Sequence, residues 1–319
     1  MSAPLAVVAI GGNALIADEK HQGLDDQAAA VASACRSIAD LASRGWRLVV
    51  THGNGPQVGF ILRRSEIGSA EVPVVPMDYA TADTQGAIGS MFQRALAFEF
   101  VRLGLNLGSV TLVTHVVVGA EDPAFTRPDK PIGVFYPEAR ARDLGRRLGW
   151  MVAEDSGRGW RRVVPSPWPR QILEIDDIAH LAGRNRIVVA CGGGGIPVLV
   201  GADGRLTGVE AVVDKDRTSA LLARLLGADA LLLCTGVDAV CTGWGTPAQR
   251  RLDRISSAEA AALLAAGELG AGSMEPKVEA ALDFVAGSGP GRRAVIGRLE
   301  RLSALAEGAE GTAIVEERG

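Results

Sequence analysis

This 319-residue sequence predicts an α/β fold with a mainly parallel, doubly wound sheet, and three observations carry the prediction. Apolar runs of about four to eight residues recur, several of them apolar at consecutive positions, the mark of strands buried on both faces. Each run stops at a glycine or a polar turn. Between the runs lie longer, helix-like segments, and strands alternating with helices build a mainly parallel sheet.

In chain order, the run Leu5–Ile10 meets Gly11-Gly12, and a helix is expected over residues 25–44. A strand over 47–51 ends in His52-Gly53-Asn54-Gly55-Pro56-Gln57-Val58-Gly59, a helix is expected over 84–103, and 109–118 reads as one strand. From Glu121 to Pro169 the alternation breaks, in a stretch rich in Pro, Arg and Gly with no long apolar run. So long an irregular insertion in an α/β domain is usually functional, as a lid or a protruding subdomain. Beyond it a helix is expected over 171–181 and a strand over 186–190, which runs into Cys191 and four glycines, Gly192 to Gly195. A helix over 218–226, a strand over 230–234, helices over 257–266 and 277–286, and a strand over 293–296 complete the pattern.

The length allows one large domain or two smaller ones. Hydrophobic residues make up 47% of the chain, enough for a core, and aromatics only 4%, which points to an aliphatic one. A formal net charge of −4 argues against a nucleic-acid or anionic-membrane partner. The opening residues 1–10 lack a basic n-region and read as a first strand, not a signal peptide. No stretch approaches the length of a transmembrane helix. Cys35, Cys191, Cys234 and Cys241 show no C-x-x-C spacing, and His21, His52, His115 and His180 no ligand spacing. A reduced, cytoplasmic protein without a protein-held metal is expected.

Several strand ends carry glycine loops: Gly11-Gly12-Asn13, His52 to Gly59, and Gly192 to Gly195 before Ile196-Pro197. Glycines let backbone N–H groups approach a ligand, and a following helix N-terminus favours an anion; each loop is also readable as a turn needing positive φ. Four successive glycines lose much backbone entropy on folding, which weighs against a purely structural turn. No G-x-x-x-x-G-K-[ST], G-x-G-x-x-G or G-x-S-x-G pattern occurs.

Among 33 basic residues only Lys20, Lys130, Lys215 and Lys277 are lysines. Lys is a compact point charge where Arg is a planar fork, and a transferring phosphoryl group suits the former. Lys130, Lys215 and Lys277 read as loop residues: Asp129-Lys130-Pro131, Asp214-Lys215-Asp216 and Glu275-Pro276-Lys277. The second reads either as a charged turn, with Asp216 near the N-cap of the helix over 218–226, or as a phosphate ligand. Lys277 stands near a helix N-terminus and opposes its dipole. A residue that breaks a local rule is a candidate for function.

In this order the loops resemble the carbamate kinases, members of the amino-acid kinase family. The matching pieces are Ala9-Ile10-Gly11-Gly12-Asn13-Ala14-Leu15, His52 to Gly59, Asp122-Pro123-Ala124-Phe125, Lys130-Pro131-Ile132-Gly133 and residues 161–167, then 192–197, 208–216 and Pro276-Lys277-Val278-Glu279-Ala280. They span about Val7 to Val315, nearly the whole chain. The resemblance implies an open, mainly parallel αβα sandwich forming one domain over 1–319. Its N-terminal part, about 1–207, binds carbamate and the phosphoryl group and carries a protruding lid subdomain at about 121–169. Its C-terminal part, about 208–319, binds nucleotide.

The implied reaction is reversible phosphoryl transfer between ATP and carbamate, with Mg²⁺ accompanying ATP or ADP, in a homodimer. Carried over by position, Gly11, Gly12, Asn13, Gly53 and Asn54 hold the carbamate and phosphoryl end. Lys130 reaches in from the protruding subdomain, Lys215 and Lys277 contact phosphates, and Asp216 orients the lysines. Thr235, Asp238 and Met274 line the nucleotide site. Carbamate is already an anion, so the missing histidine base agrees with a reaction that needs positioning and charge neutralisation.

The sequence departs from the family pattern in three places. Gly236 and Cys241 stand where the family has a carboxylate and an aromatic near the nucleotide, and Glu275 replaces a glycine. The segment 78–86, with Asp83, also differs on the substrate side. Two alternatives follow: a homologue acting on another small carboxylate or carbamate, and a weakly active protein that binds nucleotide or carbamoyl phosphate.

Overall fold

Six apolar residues in succession leave β1 (Leu5–Ile10) no face for solvent, and all six are buried. The strand lies inside an eight-stranded sheet ordered β15 (Arg254–Ser256), β17 (Thr312–Val315), β16 (Arg293–Arg298), β12 (Ala230–Thr235), β1, β2 (Arg47–His52), β9 (Arg186–Val189), β3 (Gly108–Thr111). All neighbours pair in parallel except β16 with β17. The computed structural model describes residues 3–12, 15–16, 21–155, 157–269, 274–286 and 291–316.

Side chains alternate across a strand, so Leu5, Val7 and Ala9 enter one core and Ala6, Val8 and Ile10 the other. The first core is covered by α5 (Ile175–Ala182), α6 (Lys215–Leu225), α7 (Ser257–Ala265) and α8 (Met274–Val285). The second is covered by α1 (Leu24–Ser43), α3 (Met77–Leu103) and α9 (Leu302–Glu307). The result is the expected αβα sandwich. Its core is aliphatic: Phe92 and Phe284 are the aromatics among the largest fully buried side chains. Each buried Leu, Ile or Val contributes about 1.5–3 kcal/mol.

The smaller sheets correct several expectations. The run 109–118 is two strands in two sheets: β3 ends at Thr111, and β4 (His115–Val118) joins a four-stranded sheet with β11 (Leu206–Gly208), β10 (Ile196–Val200) and β8 (Pro169–Ile172). The break is held by Gln85, whose side chain accepts from Thr114 N at 2.8 Å and donates to the Thr114 and Gly192 carbonyls. Residues 171 and 172 belong to β8 and not to a helix, and α5 begins at Ile175.

The stretch after Glu121 is regular, not structureless. β5 (Lys130–Tyr136), β7 (Trp160–Val164) and β6 (Met151–Glu154) form an antiparallel sheet backed by α4 (Glu138–Leu148). Its strands are half-exposed and carry arginines, so no apolar run marks them. A further helix, α2 (Gly55–Gly68), was hidden by its opening Gly55-Pro56, with proline in the first turn where its missing N–H is no loss. α3 begins at Met77, seven residues before the expected start.

The four-glycine loop after β9 is set by close approach. A Cβ on Gly193 would lie 2.1 Å from Asn54 Nδ2, and one on Gly194 2.1 Å from the Val213 carbonyl oxygen. Gly194 also has φ +92°, which L side chains rarely adopt. Gly194→Ala is therefore expected to destabilise the fold by at least about 2 kcal/mol. Gly236→Ala, where a Cβ meets nothing within 4 Å, is expected to leave stability near wild type. Paired denaturant titrations check both.

Candidate active site

Open α/β sheets bind ligands outside the carboxyl ends of their strands, and the predicted glycine loops converge there. Gly11 and Gly12 follow β1, Gly53 and Asn54 follow β2, and Gly192 to Gly195 follow β9. Gly53 lies so close to Gly12 that a Cβ would stand 2.5 Å from the Gly12 nitrogen. Asn54 begins α2 without capping it; its side chain donates to Thr84 Oγ1 at 2.8 Å. This leaves the first N–H groups of α2 without a side-chain cap, in a place suited to an anion. Asn13 lies outside the described residues.

The three lysines reach the same region from three elements, and none sits in a loop. Lys130 opens β5, Lys215 opens α6, and Lys277 lies in the first turn of α8. Asp216 receives Lys215 Nζ on one carboxylate oxygen at 2.5 Å and Lys277 Nζ on the other at 2.9 Å. Asp214, not Asp216, is the N-cap of α6. Its Oδ1 accepts from the Asp216 and Arg217 N–H groups, and its Oδ2 takes Lys130 Nζ at 2.9 Å.

Neighbouring hydroxyls fix the first turn of α6. Ser219 Oγ donates to the Lys215 carbonyl and lies 2.7 Å from Thr51 Oγ1 of β2. Thr218 Oγ1 donates to the Gly194 carbonyl at 2.9 Å. Asp214, Thr51, Thr84, Gln85 and Ser219 were not singled out by sequence reasoning. For Asp214 the signal was an N-cap residue type shortly before a helix-forming run; for the others the sequence holds none.

The electrostatics favour an added anion. Burial alone would raise the Asp216 carboxyl, but the Lys215 and Lys277 ammoniums outweigh it and hold it down at about 2. Asp214 is held low against burial in the same way by Lys130. Lys277 is pushed down by burial and then by the Lys215 charge. Three ammoniums face two carboxylates, which leaves one net positive charge; Lys215 and Lys277 lie deep, while Lys130 is more open to solvent. His52 is buried, stacked on Phe92 and pushed down to about 4 by burial, so it is neutral at pH 7.

The remaining predicted residues make none of the hydrogen bonds of this cluster. Thr235 ends β12, half-buried. Asp238 is exposed and paired with Arg298. Cys241 lies half-buried in β13 (Val240–Thr242), which pairs with β14 (Arg250–Leu252). Met274 opens α8, followed by a half-buried Glu275. Asp83 is exposed on α3 beside the buried Thr84 and Gln85. Among the described residues no group of three His, Cys, Asp or Glu could hold a metal, and Asp214 and Asp216 are taken by lysines.

Asp216→Asn is expected to destabilise the fold by about 3–5 kcal/mol, because it leaves two buried ammoniums without a counter-charge. The folded-state pKa of Asp216 is depressed, so its contribution is present above the unfolded carboxylate value, about 4, and is lost as pH falls towards about 2. The loss of stability across that window should be shallower in the Asn variant. Denaturant titrations at a series of pH values check both expectations.

A family model described as the amino acid kinase family matches residues 4–297. The carbamate kinase of Pyrococcus furiosus is 42% identical over 311 residues, covering 97% of this chain and 98% of that protein. The carbamate kinase-like protein YahI of Escherichia coli is 41% identical over 315 residues, covering 98% and 99%. Among solved structures, the carbamate kinase of Giardia lamblia bound to AMP-PNP superposes with a TM-score of 0.91 at 37% identity, covering 99% of both chains. The glycine loops and lysine cluster thus stand on a chain that matches these relatives over nearly its whole length, and it belongs to the amino acid kinase family.

Proposed function

We propose that this chain transfers a phosphoryl group reversibly between ATP and carbamate, giving ADP and carbamoyl phosphate. The observation that carries this is the pair of ammoniums, Lys215 and Lys277, held on the single buried carboxylate of Asp216. A carbamate oxygen attacks the γ-phosphorus, the bond to the β-phosphate oxygen breaks, and the electron pair leaves with ADP. Carbamate carries its own negative charge, so the step needs no general base. It needs in-line placement and neutralised oxygens.

In this reading Gly11, Gly12, Asn13, Gly53 and Asn54 hold the acceptor, with the open N-terminus of α2 facing its charge. Lys130 closes on the acceptor from β5, and Lys215 and Lys277 receive the transferring phosphoryl oxygens. Asp216 keeps both ammoniums oriented, so they do not reorganise as charge moves. Thr235, Asp238 and Met274 line the nucleotide side. Mg²⁺ bound to the nucleotide phosphates supplies further charge neutralisation. The protruding part, about 121–169, works as a lid, and the C-terminal part from about 208 as the nucleotide half. The chain works in the cytoplasm as a homodimer; the exposed Phe98 and Val101 of α3 offer an apolar surface for a second copy.

The first test is ATP formation from carbamoyl phosphate and ADP, which the wild-type protein should catalyse. Nucleotide binding without turnover would favour the weakly active alternative. Lys215→Ala and Lys277→Ala should each lower kcat by at least about 10²-fold, the scale of one lost preorganised donor. Arg should rescue neither, because its fork does not fit where an ammonium sits. Near wild-type turnover in a folded Ala variant would contradict the assignment.

A further inference from the structure

The last turn of α2 holds a charged cluster that the phosphoryl site does not use. The Glu66 side chain is only 8% exposed and accepts from Arg63 at 2.7 Å, from the Tyr136 hydroxyl at 2.7 Å and from Arg140 at 3.4 Å. Arg63 belongs to the same helix. Tyr136 closes β5 and Arg140 lies in α4, so this carboxylate ties the three-stranded unit to the body of the protein. Burial, then Glu66 itself, raises the Tyr136 phenol to about 12, and it stays a donor at neutral pH.

The cluster matters because of what lies at the other ends of the same two elements. α2 starts beside Asn54 at the acceptor end of the site, and β5 starts at Lys130. Midway the two backbones touch: a Cβ on Gly59 would stand 3.5 Å from Gly133 Cα. At the far end Glu66 holds Tyr136. Helix and strand are thus two struts, joined at the middle and the far end, whose other ends carry the acceptor-side groups, with Lys130 also held by Asp214. A change in the angle of β5 at Tyr136 moves Lys130 relative to Asn54.

We propose that Glu66 is a positioning residue for phosphoryl transfer: by clamping Tyr136 and Arg140 to α2 it sets the direction of β5 and with it the place of the Lys130 ammonium. The inference rests on the proposed phosphotransferase reading, in which Lys130 serves the acceptor. Displacement of a catalytic group by about 1 Å can lower rates by as much as 10²-fold. Lys277 and the start of α8 have no bond to this cluster, so the nucleotide side should not feel the change.

The test is a double-mutant cycle of Glu66→Ala and Lys130→Ala, assayed as ATP formation. Glu66→Ala should lower kcat over KM for carbamoyl phosphate by about tenfold or more and leave the KM for ADP unchanged. In the Lys130→Ala background it should have no further effect, because the group it positions is gone. Glu66→Gln, which keeps an acceptor for Tyr136 but loses its charge, should fall between. If Glu66→Ala does not fold, Tyr136→Phe carries the same cycle. Additive losses, an equal rise in the KM for ADP, or unchanged kinetics in a folded variant would overturn the inference. A wild-type protein that forms no ATP would instead overturn the phosphotransferase reading, so the two failures are distinct.

Discussion

Asp216 holds two ammonium groups on one buried carboxylate, and much of the surrounding architecture follows from that placement. Burial and the neighbouring Lys215 charge both act against a charged Lys277, and the Asp216 carboxylate works against them. One carboxylate cannot neutralise two ammoniums. The cluster therefore keeps a net positive charge, which an added anion would relieve. Asp214 extends the arrangement to Lys130, so the cation from the small sheet is fixed by the N-cap of the helix that carries Lys215.

The fold supplies the rigidity this needs. Parallel strands place β1, β2 and β9 with their carboxyl ends together, and the loops after them approach within backbone distance because glycine omits the Cβ. Thr218 and Ser219 then tie the first turn of α6 to the loop after β9 and to β2. A charged pair on mobile elements would reorganise as charge moves; on these elements the donors are set in advance.

How much of this the sequence reveals depends on the element. β1, β2, β9, β12 and β16 were legible because their residues are apolar in succession, the pattern of a strand covered on both sides. The small sheet of β5, β6 and β7 was not, because its strands stay half-exposed and bear Arg161, Arg162 and Lys130. Gly55-Pro56 looked like a turn and is the opening of α2. The rarity of lysine drew attention to Lys130, Lys215 and Lys277. Their convergence on Asp214 and Asp216 depends on pairings 84 and 61 residues apart, which no local pattern encodes. The same holds for Glu66 and Tyr136, 70 residues apart.

The central claim is that the lysine cluster is held in wait for an anion, and the lysines themselves report on it. With only four lysines in the chain, carbon-13 labelling at Cε gives a spectrum simple enough to titrate each one, with Lys277 assigned by its Arg variant. In the free protein Lys277 should titrate below the ordinary lysine value of about 10.4. Adding ADP with aluminium fluoride, a mimic of the transferring phosphoryl group, should move it upward as the excess charge is neutralised. A Lys277 that titrates at the ordinary value when free, or does not shift with the ligand, would contradict the account.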